Sequence, residues 1–322
     1  MSIDSEKATP VIWLVTDGKP GHRNQLKGLG NRLRAHTGAG LYWLEATGFR
    51  VPLWRALFGM APALPSDLPE PDLIVAAGTG THPLLLSLRR LGNARTLVIM
   101  KPGFPLSWVD GAIVPAHDDI KPSSRVLVTE GVMNTITPLA RLTANREALI
   151  LVGGPSPHFD WDDDAILAQI GDLIARYADW RWTISDSRRT PEATRQRLQQ
   201  LAAPRVTVLS SESTHENWLR HQLSASRAVW TTPDSMSMVC EAATSGVPTG
   251  LLDLPARPDS RVAKGVNRLA RSGLVAHWSD HRSVMARHTV SARQLWEADR
   301  AARWVLERFL TGKPTSDKGK SA

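Results

Sequence analysis

Five short segments of this chain carry side chains that can bind anions or move protons, four of them together with glycine. TDGKPGHRNQ (16–25) follows an apolar run. Gly18 and Gly21 allow tight turns there, and His22 sits near the start of the next helix. A helix N-terminus attracts anions and disfavours the protonated imidazole. The same residues also read as a plain glycine turn with an exposed histidine. In GTGTH (78–82), Gly78 and Gly80 read as allowing close helix packing. GGPSPHFDWDDDA (153–165) holds Gly153, Gly154 and Ser156, whose N–H and hydroxyl groups could meet a phosphate. Its acidic run, 160–164, suits a first helical turn and lacks the histidine spacing of a metal site. SDSRRTPEATRQRL (185–198) places Arg188 and Arg189 before a helix start, with Thr190 as N-cap and Pro191 in the first turn. Two guanidinium groups there could grip a diphosphate, or form a solvated basic turn.

The fifth segment, DSMSMVCEAATSGVP (234–248), reads as a helix capped by Asp234 or Ser235 and stopped by Gly246. It carries Ser235 and Ser237 at its start and Glu241 in the spacing E-x4-G-x-P. A carboxylate near a diphosphate site is suited to accept both hydroxyls of a ribose.

These segments need a frame that brings them to one rim. Apolar runs at 11–17, 71–78 and 96–103, with VDGAIVPAHD and RVLVTEG, read as buried strands separated by helices or loops. The pattern restarts at 147–154 and continues at 180–187, 205–211, 227–235 and 248–255. Strands without polar alternation imply parallel sheets covered on both faces. The expectation is an α/β protein of two facing Rossmann-like domains, residues 1–145 and 146–310, sharing a cleft. A helix over 291–310 is expected to cross back to the first domain, and 311–322 is read as a disordered tail. In such sheets ligands bind beyond the carboxyl ends of the strands, where all five segments fall.

Of 322 residues, 42% are hydrophobic and 22% charged, with a net charge of +8. Basic residues are spread along the chain and no nucleic-acid motif is present, which favours phosphate or acidic partners over nucleic acid. The single cysteine, Cys240, precludes an internal disulfide. With neither a secretion signal nor a membrane-spanning run, a cytoplasmic protein is expected. VPLWRALFGMAP (51–62) places Trp54, Leu57, Phe58 and Met60 beside Arg50 and Arg55. It reads either as a core-packed helix or as peripheral contact with the inner face of a membrane.

DGKPGHRNQLKGL, SRRTP and TPDSMSMVCEAATSGVP together resemble the mitochondrial-fission "elongated mitochondria" (ELM) family, whose bacterial members are treated as glycosyltransferases. The likeness runs from about residue 10 to 310. A more distant resemblance is to MurG-type glycosyltransferases of the GT-B class. In them E-x4-G-x-P carries the ribose-binding glutamate and a glycine-rich turn ends in Gly-His, matched here by Glu241, Gly246, Pro248 and Gly21-His22. Lys19-Pro20 departs from that turn. The resemblance implies sugar transfer from a nucleotide-diphospho-sugar to an acceptor, of the cell envelope in the MurG case, without metal or other cofactor. The donor residues would be Gly21, Gly153, Gly154, Ser156, Arg188, Arg189, Asp234, Ser235, Ser237 and Glu241. His22 is the candidate base, with Asp17 as its orienter or substitute. The alternative is a non-catalytic fission-factor-like protein on the same scaffold. An NAD-dependent epimerase is disfavoured, because G-x-G-x-x-G and Tyr-x-x-x-Lys are both absent.

Overall fold

Residues 12–15 of the first strand, β1 (Val11–Thr16), are almost wholly buried, and their side chains alternate between two separate cores. Ile12 and Leu14 join the core beneath α1 (Pro20–Thr37), whereas Trp13 and Val15 face the other side. That alternation is what a strand covered on both faces requires. The computed structural model describes residues 9–310, so the expected tail at 311–322 lies outside the described residues. It divides the chain into two compact units. The first takes residues up to Thr129, Met133–Thr135 and the segment from Glu297; the second takes Glu130–Val132 and Ile136–Trp296.

The first unit continues with β2 (Gly40–Glu45), α2 (Leu53–Phe58), β3 (Leu73–Ala77), α3 (His82–Leu88), β4 (Arg95–Ile99), β5 (Gly111–Pro115) and β6 (Val126–Thr129). Its six-stranded sheet has the order β2-β1-β3-β4-β5-β6, and every pair is parallel. The second unit runs β7 (Glu147–Leu151), α4 (Asp163–Arg176), β8 (Arg181–Ser185), α5 (Glu192–Gln199), β9 (Val206–Leu209), α6 (Trp218–Ala225), β10 (Ala228–Thr231), α7 (Met236–Ser245), β11 (Thr249–Leu251), α8 (Arg261–Arg271) and α9 (His281–Ala286). Its five strands lie in the order β11-β10-β7-β8-β9, again all parallel. Both sheets are therefore doubly wound.

The last helix, α10 (Glu297–Val305), packs Ala298, Ala301, Ala302 and Val305 into the core of the first unit beside α1. It starts later than the expected residue 291. Leu295 is buried in the core of the second unit and the Ser291 N–H donates to Gly246 O, so this stretch is held as a connector. The return of α10 is locked by buried Asp299. Oδ1 accepts from Arg32 Nε (2.8 Å) and lies 2.9 Å from His36 Nε2, while Oδ2 accepts from Arg303 (2.8 Å). Burial opposes the Asp299 charge, but the hydrogen bonds from His36, Arg32 and Arg303 outweigh it and hold the carboxyl below its ordinary value of 3.8. A depressed carboxylate stabilises the fold above that ordinary value and loses its effect as pH falls through the folded one. Asp299→Asn is therefore expected to lower stability by about 2–3 kcal/mol at pH 7. Chemical denaturation should show the difference shrinking below pH 3.8. An equal gap at pH 7 and pH 3 would refute the ionic lock.

Candidate functional site

In the first sheet the chain turns toward opposite edges after β1 and after β3, the switch point beyond whose carboxyl ends open α/β sheets bind their ligands. Asp17 is the first residue after β1, and His22 is the third residue of α1. His22 Nδ1 lies 2.8 Å from Asp17 Oδ1, with the side chains 21% and 7% exposed. Burial works against the Asp17 charge, but the hydrogen bonds with His22 and the Lys19 N–H hold the carboxyl below its ordinary range. An ionised Asp17 fixes the proton on Nδ1 and leaves the Nε2 lone pair to accept another.

The GTGTH loop backs this pair. Gly78 has φ +94°, and a Cβ there would overlap His22 Nδ1 and Asp17 Oδ2. A Cβ on Gly80 would press on Asp17 Cβ at 3.1 Å. Half-buried His82 follows, its ring edge-on to Phe104 at 4.8 Å, and burial lowers its pKa. Gly21 is exposed and a Cβ there would meet nothing within 4 Å.

In the second sheet the corresponding switch lies between β7 and β10. Buried Asp234, after β10, accepts at Oδ2 from the Gly154 N–H (3.2 Å) and from Arg189 Nη2 (2.5 Å). Arg189 also donates to Gly154 O (2.8 Å) and Pro155 O (3.1 Å). The loops after β7, β8 and β10 are thereby clamped together. The two glycines are needed for close approach, since a Cβ on Gly153 would overlap the Asp234 carboxylate and one on Gly154 the Arg189 carbonyl. Their amides are engaged inside the protein, Gly153 N–H donating to Thr232 Oγ1 at 2.8 Å. Ser156 Oγ accepts from the His158 N–H at 3.2 Å. Thr190 is not the N-cap: its hydroxyl donates to Gly153 O, Pro191 takes the cap position, and α5 starts at Glu192.

Other polar groups belong to the same loops and to α7. Arg188 is exposed and, among the described residues, forms no hydrogen bond or ion pair. Ser235 occupies the α7 N-cap without making a side-chain cap bond. Half-buried Ser237 and Glu241, four residues apart, lie on one face of α7. His158 has its pKa lowered by burial, then by the charges of Arg261 and Arg189. The rim is thus electropositive around a neutral imidazole. Among the described residues, no group of three or more His, Cys, Asp or Glu is placed to hold a metal ion.

Residues 20–309 match the family model described as Mitochondrial fission ELM1. The chain belongs to that family. It is 24% identical over 293 residues to an uncharacterized protein, RP120, of Rickettsia prowazekii, covering 74% of this chain and 81% of that one. Solved structures similar to this ELM1-family chain include a protein assigned as a UDP-N-acetylglucosamine 2-epimerase from Listeria monocytogenes, with TM-score 0.59, 12% identity and coverage of 95% and 98%. The UDP-GlcNAc 2-epimerase of Neisseria meningitidis, bound to UDP-GlcNAc, gives TM-score 0.53 at 11% identity, covering 94% and 100%. These likenesses establish a GT-B-like fold of two parallel-sheet α/β units. Within it, Asp17 and His22 meet in the first unit; Gly153, Gly154, Arg189 and Asp234 interlock in the second, with Ser156 in the same loop. Gly78, Gly80, His158 and Arg261 were not among the expected site residues. The glycines carried a local signal, directly after a strand, but their contact with Asp17 and His22 spans some sixty positions of sequence.

Proposed function

We propose that this ELM1-family chain is a GT-B-type glycosyltransferase that moves a sugar from a nucleotide-diphospho-sugar to an acceptor hydroxyl. The observation that supports this most directly is the start of α7, where Ser235 makes no cap bond and Arg188 stands free on the same rim. A helix N-terminus with spare hydroxyl and guanidinium donors suits a diphosphate, and stabilises it as it leaves without needing a metal. Glu241 would accept the ribose hydroxyls, with Ser235 and Ser237 lining the pocket. Arg189 and Asp234 act by fixing the loops. In the first unit, the Nε2 lone pair of His22 would take the acceptor proton.

The test is calorimetric titration with a panel of nucleoside diphosphates. Glu241→Ala is expected to weaken the best binder by about 1–3 kcal/mol. Arg188→Lys should remain impaired, because it keeps the charge but loses the fork. No binding by any nucleoside diphosphate, or full affinity in Glu241→Ala, would refute the assignment. A second reading, epimerisation of the nucleotide-sugar itself, is favoured by the structural neighbours. It requires a nucleotide-sugar with one inverted carbon to accumulate when no acceptor is added, whereas transfer leaves the nucleotide-sugar unchanged without acceptor and yields glycosylated acceptor and free nucleoside diphosphate when one is present.

A further inference from the structure

Among the described residues, every large hydrophobic side chain that stands exposed lies between Tyr42 and Met60. Five of them, Leu53, Trp54, Leu57, Phe58 and Met60, come from α2 and the turn after it. Leu53 is 77% exposed and Phe58 62%, and in α2 only Ala56 is buried. The core-packed reading of this segment is therefore not the one realised.

The helix is held rigidly in this outward pose. Arg89 donates to Ala56 O (2.9 Å) and Leu57 O (2.5 Å), and Arg90 to Phe58 O (3.1 Å). Arg55 donates to Ala61 O (3.1 Å) and its guanidinium lies 5.3 Å from the Trp54 ring centroid. These acceptors are neutral carbonyls, so the positive charges are left uncompensated. Residues 46–66 contain no Asp or Glu, and among the described residues none of Arg50, Arg55, Arg89 and Arg90 forms an ion pair.

We propose that α2 and the arginines around it dock onto an anionic lipid bilayer. The occupant follows from charge and chemistry. Lipid phosphates complement the unpaired guanidinium groups, while Leu53, Leu57 and Phe58 enter the acyl boundary and Trp54 stays at headgroup level. An interfacial helix sinks roughly 5–10 Å, which α2 can do without unfolding. Among the described residues no helix is long and apolar enough to cross a membrane, so α2 would act as a surface contact. Docking through α2 does not depend on the transfer reaction.

Flotation with vesicles of phosphatidylcholine alone, and of phosphatidylcholine with phosphatidylglycerol, tests it. The full chain should float with the anionic vesicles, weaken as salt rises, and bind neutral vesicles poorly. The double substitution Leu57→Asp, Phe58→Asp alters exposed side chains, so its thermal melt should match wild type while vesicle affinity falls by at least about tenfold. Arg50→Glu should lower affinity by about fivefold or more. Brominated lipid should quench a component of tryptophan emission that is missing in Trp54→Phe. Equal binding to neutral and anionic vesicles, or full binding by the folded double variant, would overturn the proposal. So would absence of vesicle binding by a chain that instead captures an acidic protein through this face.

Discussion

His22→Ala is expected to lower turnover by roughly 10²- to 10⁴-fold with little change in nucleotide affinity. The imidazole has its Nδ1 side occupied by Asp17 and belongs to the first unit, whereas the proposed nucleotide contacts belong to the second. Removing it takes away the proton acceptor and leaves Arg188, Ser235 and Glu241 in place. Asp17→Asn should cost a comparable factor for a different reason. An amide nitrogen facing Nδ1 would favour the other tautomer, with the proton on Nε2 and no lone pair for the acceptor. Gly78→Ala offers a third route to the same defect, since its Cβ would drive His22 and Asp17 apart. The readout is release of nucleoside diphosphate from the tightest-binding nucleotide-sugar, with and without acceptor. Near-normal turnover in His22→Ala would exclude it as the base. Equal losses in kcat and in nucleotide binding would make it a binding residue.

Why the dyad was legible only in part follows from where its determinants lie. Asp17 and His22 are five positions apart, and a strand followed by glycines and a helix start can be read locally. Gly78 and Gly80 come from another strand, and nothing local says that β3 lies beside β1. The strands themselves were readable because both faces are buried, which writes an unbroken apolar run. The exception, β2, sits at the sheet edge with Tyr42 and Trp43 exposed and shows no such run. Adjacent residues can also part company: Arg188 and Arg189 look alike in sequence, yet one is free and the other is spent on three carbonyl or carboxylate partners. The E-x4-G-x-P spacing placed Glu241 on α7 and Gly246 at its left-handed C-cap, with φ +79°. Whether α2 packed inward could not be read from its composition, since aromatic and leucine residues serve a core and a membrane surface equally well.

The clamp in the second unit yields the other large effect. Gly154→Ala is expected to lower stability by about 3 kcal/mol, the upper range for overpacking. Its Cβ would overlap the carbonyl carbon and oxygen of Arg189, and backbone cannot step aside as a side-chain end can. The β7 and β8 loops must then separate, breaking the Arg189 bonds to Gly154, Pro155 and Asp234. Because Arg188 shares that turn, nucleoside diphosphate affinity should fall together with stability. Gly171→Ala is the control: it lies within α4, a Cβ there meets nothing within 4 Å, and it should be neutral or stabilise by about 0.5–1 kcal/mol. Asp234→Asn separates shape from charge. It keeps an acceptor for the Gly154 N–H but weakens the bond from Arg189, at a cost near 1 kcal/mol because Arg189 is 42% exposed. Denaturant midpoints and calorimetric titration should therefore rank Gly171→Ala, Asp234→Asn and Gly154→Ala from mildest to most severe. A Gly154→Ala variant that unfolds and binds like wild type would show that the β7 and β8 loops are not held by this contact, and would remove the reason for placing Arg188 at the diphosphate.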